Sequence, residues 1–309
     1  MKKIIYFLLF LIVAIALGNL FFNNKKEKPP KPEENISNNQ ELRIVTTIFP
    51  AYDVAKNIIK NNGEVLMLLP PGEEAHHYEL KPSDFQKIKQ ANLILAIRPD
   101  LDGIWLKVNQ KEGKYFIEVD GERKEVVFLG LDIGQTDPHI WNNFPYLANM
   151  ISRAQTAISQ INSNQIFKEN AQKYKDEVYK THYAFSDMLK KCRNPEIFFV
   201  GHNSFSYWEK YYGLTVHALQ GFSPDAQSSV FDVANFISQI SRSQAKYVFY
   251  DILDEDSNAV SVAQETGTIL LTLYPGHNLG KNDFNNNVTL LDLARKNINN
   301  IAKSLICQP

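Results

Sequence analysis

Residues 143–191 read NFPYLANMISRAQTAISQINSNQIFKENAQKYKDEVYKTHYAFSDMLKK and contain no glycine. Their only proline, Pro145, stands near the start, where a helix tolerates proline. The polar residues Asn162, Ser163 and Asn164 interrupt the apolar periodicity, so the stretch predicts two helices. The second, at 165–191, is long enough to span a whole domain. We therefore expect it to join two separate parts of the protein.

Strand and helix patterns alternate on both sides of this stretch. Short apolar runs precede it at 42–48, 64–69 and 92–97, and residues 114–129 predict a β-hairpin about Asp120-Gly121. Further runs follow it at 196–200, 214–219, 246–250 and 268–273, and a final helix is predicted over about 286–306. Continuous apolar strands separated by helices are typical of parallel sheets covered on both faces. The predicted fold is α/β, with two parallel-sheet lobes at 42–150 and 192–309 joined by the helices of 151–191.

The N-terminal region differs in composition from the rest of the chain. Residues 4–22, IIYFLLFLIVAIALGNLFF, carry no charge and would reach about 28 Å as a helix. We predict a secretory signal or a membrane anchor at 1–22, and the anchor is favoured because the apolar run continues past the Ala14-Ile15-Ala16 signal. Residues 23–41 hold three prolines and almost no large apolar side chains, which predicts a flexible tether. Either interpretation places the rest of the chain outside the cytoplasm, tethered to the cytoplasmic membrane or secreted into the periplasm.

The overall composition excludes one class of partner. Apolar residues make up 44% of the 309 residues, and the net charge is −1 with no block of like charges. Such a chain can build a core and offers no electrostatic surface for nucleic acid. Cys192 and Cys307 are the only cysteines, and both a single disulfide and two unpaired buried thiols fit the sequence.

The seven histidines are informative by their location. They form no HExxH pair and there is no CxxC, so the sequence holds no compact metal motif. Five of them stand at three predicted strand ends or just before the interlobe helices: His76, His77, His139, His202 and His277. Ligands of open parallel sheets bind at the carboxyl ends of strands, so these places are expected to converge on a metal site in the interlobe cleft. We expect His182 on a solvated helix face and His217, inside a strand, to be structural.

Six segments resemble, in order, motifs of the zinc- and manganese-binding solute receptors of ABC importers. They are VTTIFPAYDVAKNI, LLPPGEEAHHYELKPSDFQKIKQANLILAI, TDPHIW, GHNSFSYWEKYYGL, LQGFSPDAQSS and AQETG. The resemblance covers about residues 42–306, and the ordered set is more specific than any single motif. It implies two α/β lobes, a rigid connecting helix and a metal ion in the cleft, which agrees with the fold predicted from the patterns.

The resemblance also implies three metal ligands, residue by residue. The first histidine of the family follows a PPG turn and precedes a polar and an aromatic residue, which identifies His76 and leaves His77 in the polar position. His139 matches the histidine of the family's DPH.W motif. His202 matches the third ligand, which is histidine in receptors that resemble zinc carriers and commonly glutamate in manganese carriers.

The fourth ligand departs from the family pattern. The family usually has an aspartate directly before a proline, and this chain has Tyr274 before Pro275. Tyrosine is a poor ligand at neutral pH because its pKa is about 10. His277, three residues after Tyr274, or a water molecule would complete the site. Histidine donors favour Zn²⁺, with Mn²⁺ as the alternative.

The implied function is capture of Zn²⁺ and its delivery to an ABC permease and its ATPase subunit. We expect a monomer that is held at the membrane through its N-terminal segment and that is not an enzyme. Because histidines must lose protons to bind a metal, capture should weaken below about pH 6. Two alternatives stay open: a membrane-tethered metal buffer or adhesin without a transport role, and a zinc-dependent hydrolase with Glu73, Glu74 or Glu79 as general base.

Overall fold

A computed structural model describes residues 42–75, 78–131, 137–193, 195–222, 228–254, 258–305 and 307. The predicted signal or anchor at 1–22, the tether at 23–41 and the pair His76–His77 lie outside these residues. Within the described ranges, no helix combines the length and the apolar composition that crossing a bilayer requires.

The described residues form strands and helices in alternation. The strands are β1 (Arg43–Thr46), β2 (Glu64–Met67), β3 (Leu93–Ala96), β4 (Asn109–Lys111), β5 (Lys114–Val119), β6 (Glu122–Phe128), β7 (Glu196–His202), β8 (Thr215–Gln220), β9 (Tyr247–Tyr250) and β10 (Ile269–Thr272). The helices are α1 (Phe49–Ile59), α2 (Pro82–Gln90), α3 (Asp102–Leu106), α4 (Phe144–Ile161), α5 (Gln165–Lys190), α6 (Ser206–Tyr212), α7 (Val230–Ser243), α8 (Ala259–Thr266), α9 (Lys281–Asn285) and α10 (Leu290–Ser304). A 3₁₀ turn covers Ile140–Asn142.

The strands form two sheets, one before and one after α4 and α5 in the chain. The first sheet has the order β2-β1-β3-β6-β5-β4, and the second has the order β10-β9-β7-β8. Every pair in the second sheet is parallel, as are the pairs among β1, β2, β3 and β6. The predicted hairpin about Asp120-Gly121 is confirmed, and its strands add antiparallel pairs to the edge of the first sheet. The first sheet is therefore mixed, because a tight turn joins only antiparallel strands.

Both predicted interlobe helices are present, and an asparagine caps the start of each. Asn143 accepts a hydrogen bond from the N–H of Tyr146 at 3.3 Å, and Asn164 accepts one from Ile166 at 3.1 Å. The break between the helices falls on the predicted polar tripeptide 162–164. Residues at helical spacing form a buried stripe along α5: Phe167, Asn170, Ala171, Tyr174, Val178, Thr181, Phe185 and Leu189. The apolar members of this stripe belong to one core cluster that also contains residues of both sheets, so the helix is fixed against both.

The short elements and one helix start differ from the sequence prediction. The helices α3 and α9, strand β4 and the 3₁₀ turn were not predicted, because three to five residues are too few to carry a periodic pattern. The last helix begins at Leu290 rather than near 286, because Thr289 and Asp292 form a capping box. In that box, the N–H of Asp292 donates to Oγ1 of Thr289 at 3.1 Å.

His182 does not lie on a solvated helix face, so that prediction is wrong. It is half-buried on α5, and its Nδ1 lies 2.7 Å from the hydroxyl oxygen of Tyr212. The rings of Phe144 and Tyr183 pack against it. Burial, with a smaller contribution from Lys190, lowers the pKa of His182. The helical pattern could not reveal this, because Tyr212 comes from a different element.

Cys192 and Cys307 form a disulfide, which decides between the two alternatives that the sequence left open. Cys192 follows α5, and Cys307 follows α10. The bond therefore ties the C-terminal end of the chain to the end of the long interlobe helix.

Asp53 is a buried carboxyl group that connects three helices. It lies on α1, and its Oδ1 accepts a hydrogen bond from the N–H of Leu290 on α10 at 3.2 Å. The hydroxyl group of Tyr174 on α5 donates to its Oδ2. Burial raises the pKa of Asp53 to about 6, although these hydrogen bonds lower it.

Asp53→Asn is expected to remove part of the pH dependence of stability between about pH 4 and pH 6. The folded carboxyl group has a pKa of about 6, and an unfolded aspartate has one of about 3.9. In this window the folded state binds more protons, so the contribution of Asp53 to stability falls as the pH rises. Urea unfolding measures the free energy of unfolding at pH 4.5 and at pH 6.5. Between these two values it should fall by more in the wild type than in the variant. The exposed Asp187→Asn serves as control, and identical slopes in all three proteins would contradict the assignment.

Candidate metal centre

Three of the predicted ligands lie close together. His202 is the last residue of β7, His277 follows β10, and His139 directly precedes the 3₁₀ turn. All three side chains are buried. The ring centroid of His202 lies 5.1 Å from that of His139 and 5.9 Å from that of His277. The three imidazoles therefore occupy one buried place at the carboxyl ends of strands of the second sheet.

The distance between the ring nitrogens of His139 and His202 is close to that between two ligands of one metal ion. Their Nε2 atoms are 3.2 Å apart. Two nitrogens bound to a tetrahedral zinc at about 2.0–2.1 Å lie about 3.3 Å from each other. The two rings can therefore share an ion with little movement.

Asp137 orients the ring of His139. Its Oδ1 lies 2.7 Å from Nδ1 of His139 and also accepts the backbone N–H of that residue at 2.9 Å. A carboxylate at Nδ1 holds the proton there, which leaves Nε2 with a lone pair for a metal. Ser206 donates its hydroxyl to Oδ2 of Asp137. Burial raises the pKa of Asp137, but its hydrogen bonds with His139 and Ser206 lower it, and the net shift is downward.

Asp137→Asn is expected to weaken zinc binding by about 10–100-fold, the usual cost of losing the partner of a metal-ligating histidine. The amide can still accept a hydrogen bond, but it no longer carries the charge that makes the imidazole more basic. Competition with a chromogenic zinc chelator would measure the change. Asp120→Asn, at the exposed turn of the hairpin, should bind zinc like the wild type. Equal affinities for all three proteins would exclude this role for Asp137.

The 3₁₀ turn fastens the loops that carry the other two histidines. Trp141 donates its indole N–H to the carbonyl of Pro275 at 2.7 Å. Asn142 donates its amide to the carbonyls of Ser204 at 2.8 Å and Pro275 at 3.1 Å. Ser204 follows His202 by two residues, and Pro275 precedes His277 by two. The turn therefore sets the spacing between three ligand loops.

The loop of His277 depends on a glycine. Gly276 has a φ of +81°, a conformation that other residues adopt at a cost. A Cβ atom there would lie 3.0 Å from Cδ1 of Leu290 and 3.2 Å from Nε1 of Trp141. The glycine thus permits the close approach of the loop to the tryptophan that fastens it.

The same loop contacts the segment that leads to His76. Asn278 donates its side-chain amide to the carbonyls of Pro70 at 2.8 Å and Glu73 at 2.7 Å. These carbonyls belong to the PPGEE turn after β2. Tyr274 lies on the other side of the loop's proline, and the Nζ of Lys296 on α10 lies 5.3 Å from the centroid of its ring.

His277 is buried beside the carboxylate of Glu74. Burial lowers its pKa, and His139 lowers it further, whereas Glu74 raises it. Its Nε2 lies 3.6 Å from Oε2 of Glu74. Its Nδ1 is buried and accepts or donates no hydrogen bond among the described residues. An unsatisfied buried nitrogen is costly, and a bound cation would satisfy the ring.

Asp251 is a buried carboxyl group that interacts electrostatically with Glu74 and to which the sequence patterns gave no role. It follows β9 and is buried, and the N–H of Leu253 donates to its Oδ1 at 3.0 Å. Burial raises the pKa of Asp251 to about 7, and the charge of Glu74 adds to the increase. The available signal was its place directly after the predicted strand at 246–250. Asp137 lies in the TDPHIW motif, whose spacing alone indicates no role for it.

The described residues supply part of a metal site. In the described part of the chain, no three His, Cys, Asp or Glu side chains are grouped closely enough to hold a metal ion. His139, His202 and His277 are brought together, and His76 lies outside the described residues. Two of the histidines face each other at ligand distance, and the third borders them.

Comparison with known proteins identifies the relatives of this chain. The model of the ZnuA family, zinc-uptake complex component A periplasmic, matches residues 44–304. The chain is 25% identical over 287 residues to the high-affinity zinc uptake system protein ZnuA of Bacillus subtilis, covering 87% of this chain and 89% of the relative. It is 27% identical over 281 residues to the manganese-binding lipoprotein MntA of the same species, covering 87% and 91%.

Solved structures share the fold. The Zn(II)-bound ZnuA-like domain of Streptococcus pneumoniae AdcA aligns with a TM-score of 0.71 at 20% identity, over 85% of this chain and 98% of that domain. The periplasmic zinc-binding protein TroA from Treponema pallidum aligns with a TM-score of 0.72 at 19% identity, over 85% and 99%. The family model matches residues 44–304, which is most of this chain. The chain therefore belongs to the zinc- and manganese-binding solute receptors of ABC importers.

Proposed function

We propose that this receptor captures Zn²⁺ outside the cytoplasmic membrane with His76, His139, His202 and His277 as ligands. The observation that carries the proposal is the 3.2 Å separation of the Nε2 atoms of His139 and His202, with Asp137 holding the tautomer of His139. The protein is a binding receptor and not an enzyme, so the hydrolase alternative falls away.

The proposed site favours zinc over manganese because its donor atoms are imidazole nitrogens. Neutral imidazoles suit zinc, whereas manganese favours carboxylate, carbonyl and water oxygens. Histidine at position 202 places a third nitrogen where a carboxylate would have favoured manganese. Glu74 is the carboxylate seen beside His277, and its Oε2 stands 3.6 Å from the ring.

The proposed route of the ion follows from the division of the ligands. We assign lobes to 42–150 and 192–309 and the connection to 151–191, so His76 and His139 belong to one lobe and His202 and His277 to the other. A small displacement of the lobes would remove two ligands together and release the ion to an ABC permease with its ATPase. The chain acts as a monomer, held at the membrane by residues 1–22 through the tether of 23–41.

Native mass spectrometry tests the proposal directly. The full chain, purified without a histidine tag, is treated with a chelator and then supplied with equal Zn²⁺ and Mn²⁺. We expect one ion per chain and zinc in clear excess over manganese. Retention of manganese alone, or of neither ion, would refute the assignment.

His76→Ala should weaken zinc binding far more than His77→Ala. Only the first of the two histidines after the PPG turn, His76, is assigned as a ligand. Its neighbour His77 occupies the polar position of the motif. Chelator competition on both variants measures the difference. Equal losses, or a larger loss for His77→Ala, would show that the assigned register is wrong.

A further inference from the structure

Asn278 is a buried asparagine next to the candidate ligand His277, and its side chain joins two distant loops. Its amide donates to the carbonyl oxygens of Pro70 at 2.8 Å and Glu73 at 2.7 Å. Its Oδ1 accepts the backbone N–H of Leu279 at 2.9 Å, and the residue is 2% exposed. The amide nitrogen and the amide oxygen are both bonded, and this fixes the orientation of the side chain.

The two carbonyls that Asn278 binds belong to a tight turn at 70–73. The N–H of Glu73 donates to the carbonyl of Pro70 at 3.1 Å, and Gly72 has a φ of +90°. Proline at the second position and glycine with positive φ at the third are typical of a type II turn. The carbonyl of Pro70 therefore accepts one hydrogen bond from its own turn and one from a side chain 208 positions along the chain.

The backbone of Glu74, which follows this turn, is anchored on both sides. On one side, the carbonyl of Glu73 accepts the amide of Asn278. On the other side, the carbonyl of Ala75 accepts the indole N–H of Trp105 at 3.1 Å. Trp105 lies 30 positions from Ala75, whereas Asn278 lies 205 positions from Glu73. Asn278 thus supplies the long-range half of this anchoring.

The carboxylate of Glu74 lies beside the ring of His277. Its Oε2 is 3.6 Å from Nε2 of His277. His277 is buried, whereas the side chain of Glu74 is 39% exposed. Neutral imidazoles leave the double charge of a bound ion unbalanced, and a nearby carboxylate stabilises that charge. The position of Glu74 therefore bears on how well the centre holds a divalent ion.

We infer that Asn278 is a positioning residue of the metal centre, which holds the turn at 70–73 against the loop of His277 and so keeps the carboxylate of Glu74 beside that ring. The inference rests on the proposed function, since it takes His277 as a ligand. With the lobes assigned there, the turn belongs to the first lobe and Asn278 to the second. The contact then crosses the cleft that has to open for release of the ion.

Hydrogen exchange of the metal-free protein tests the contact itself. Asn278→Leu removes both donated hydrogen bonds and keeps a side chain of similar size. The full chain is freed of metal with a chelator, and exchange is followed by mass spectrometry. We expect the amides of 70–75 to exchange about tenfold faster than in the wild type, because two buried carbonyls lose their donor. Unchanged protection of this turn would overturn the inference.

Asn278→Asp repeats the exchange measurement with a different side chain. It keeps the oxygen that accepts the N–H of Leu279, but it presents a carboxylate without a donor to the two carbonyls. The same acceleration at 70–75 is expected. Wild-type protection in this variant would likewise contradict the inference, whether or not the leucine variant folds.

Zinc affinity separates positioning from a general loss of stability. Chelator competition is measured on the wild type, Asn278→Leu, Glu74→Gln and the double variant. We expect Asn278→Leu to weaken binding by about tenfold alone and by less than about threefold when Glu74→Gln is present, because residues that act as one unit are not additive. Equal factors in both backgrounds would mean that Asn278 does not act through Glu74, and the inference would fail.

Asn297 on α10 provides the matched control. It is also 2% exposed, but it bonds only the backbone of Tyr274, whose N–H donates to its Oδ1 at 2.8 Å and whose carbonyl accepts its amide at 2.9 Å. Asn297→Leu should leave exchange at 70–75 unchanged, and its effect on zinc affinity should be the same with and without Glu74→Gln. Equal loss of turn protection in this control would overturn the inference. Failure of the wild type to bind zinc would instead overturn the proposed function, and the exchange result would still report on the contact.

Discussion

His202→Ala is expected to weaken zinc binding by more than about 100-fold, because loss of the outer partner of a ligating histidine alone costs 10–100-fold. The Nε2 of His202 lies 3.2 Å from that of His139, so its removal takes away one of two donors already at ligand distance. The remaining ligands would hold the ion with a water molecule in place of the lost nitrogen. Isothermal titration with a competing chelator measures the change.

His217→Ala is the matched control for this variant. His217 lies on β8, next to β7, and stacks on Phe198 with ring centroids 4.6 Å apart. Its Nε2 pairs with Glu196 at 3.1 Å, so its removal perturbs the same sheet without touching the proposed ligands. Zinc affinity should remain at the wild-type value in this control. A similar loss in both variants would show that the effect comes from the sheet and not from coordination.

Replacement of both cysteines by serine is expected to lower the free energy of unfolding by about 2–5 kcal/mol. The disulfide joins positions 115 residues apart, and the chain-entropy estimate for such a loop is about 5 kcal/mol at 25 °C. The bond constrains the unfolded chain, and in the folded protein it fastens Cys307 to the end of α5. The side-chain hydrogen bonds described for Cys192 go to Met188 on α5 and not to a histidine of the candidate centre, so zinc affinity should not change.

Urea unfolding in the presence of a chelator measures this effect without the contribution of bound metal. The double variant should show a lower midpoint than the oxidised wild type, and the reduced wild type should behave like the variant. A midpoint equal to that of the oxidised wild type would contradict the stabilising role. A loss of zinc affinity in a folded variant would instead mean that the bond also shapes the site.

Much of the architecture could be predicted because strands and helices depend on the pattern of side chains a few residues apart. The β-branched and apolar runs gave strands within a residue or two of the observed ends, since a buried strand needs continuous apolar side chains. The asparagines at 162 and 164 located the break between the long helices, because a capping side chain acts within its own turn. Elements of three to five residues escaped prediction for the same reason, since they hold too few side chains to form a pattern.

The candidate site was predictable only in part. The resemblance singled out His76, His139 and His202. The Nε2 atoms of His139 and His202 lie 3.2 Å apart, whereas His76 lies outside the described residues. The sequence assigned no role to Asp137, Trp141 or Asn142, because the role of each depends on its hydrogen-bond partner in the folded protein. Trp141 meets the carbonyl of Pro275, 134 positions along the chain, and no local pattern carries that information.

The sequence by itself determined the alternation of strands and helices, the interlobe helices and the places where histidines end strands. These depend on periodicity and on side chains a few residues apart. Only the tertiary structure decided that Cys192 pairs with Cys307, that aromatic rings pack against the half-buried His182, and that His277 lies beside His202. Each of these is a contact between residues that are far apart in the sequence. Such contacts form because the two sheets and α5 pack around one core.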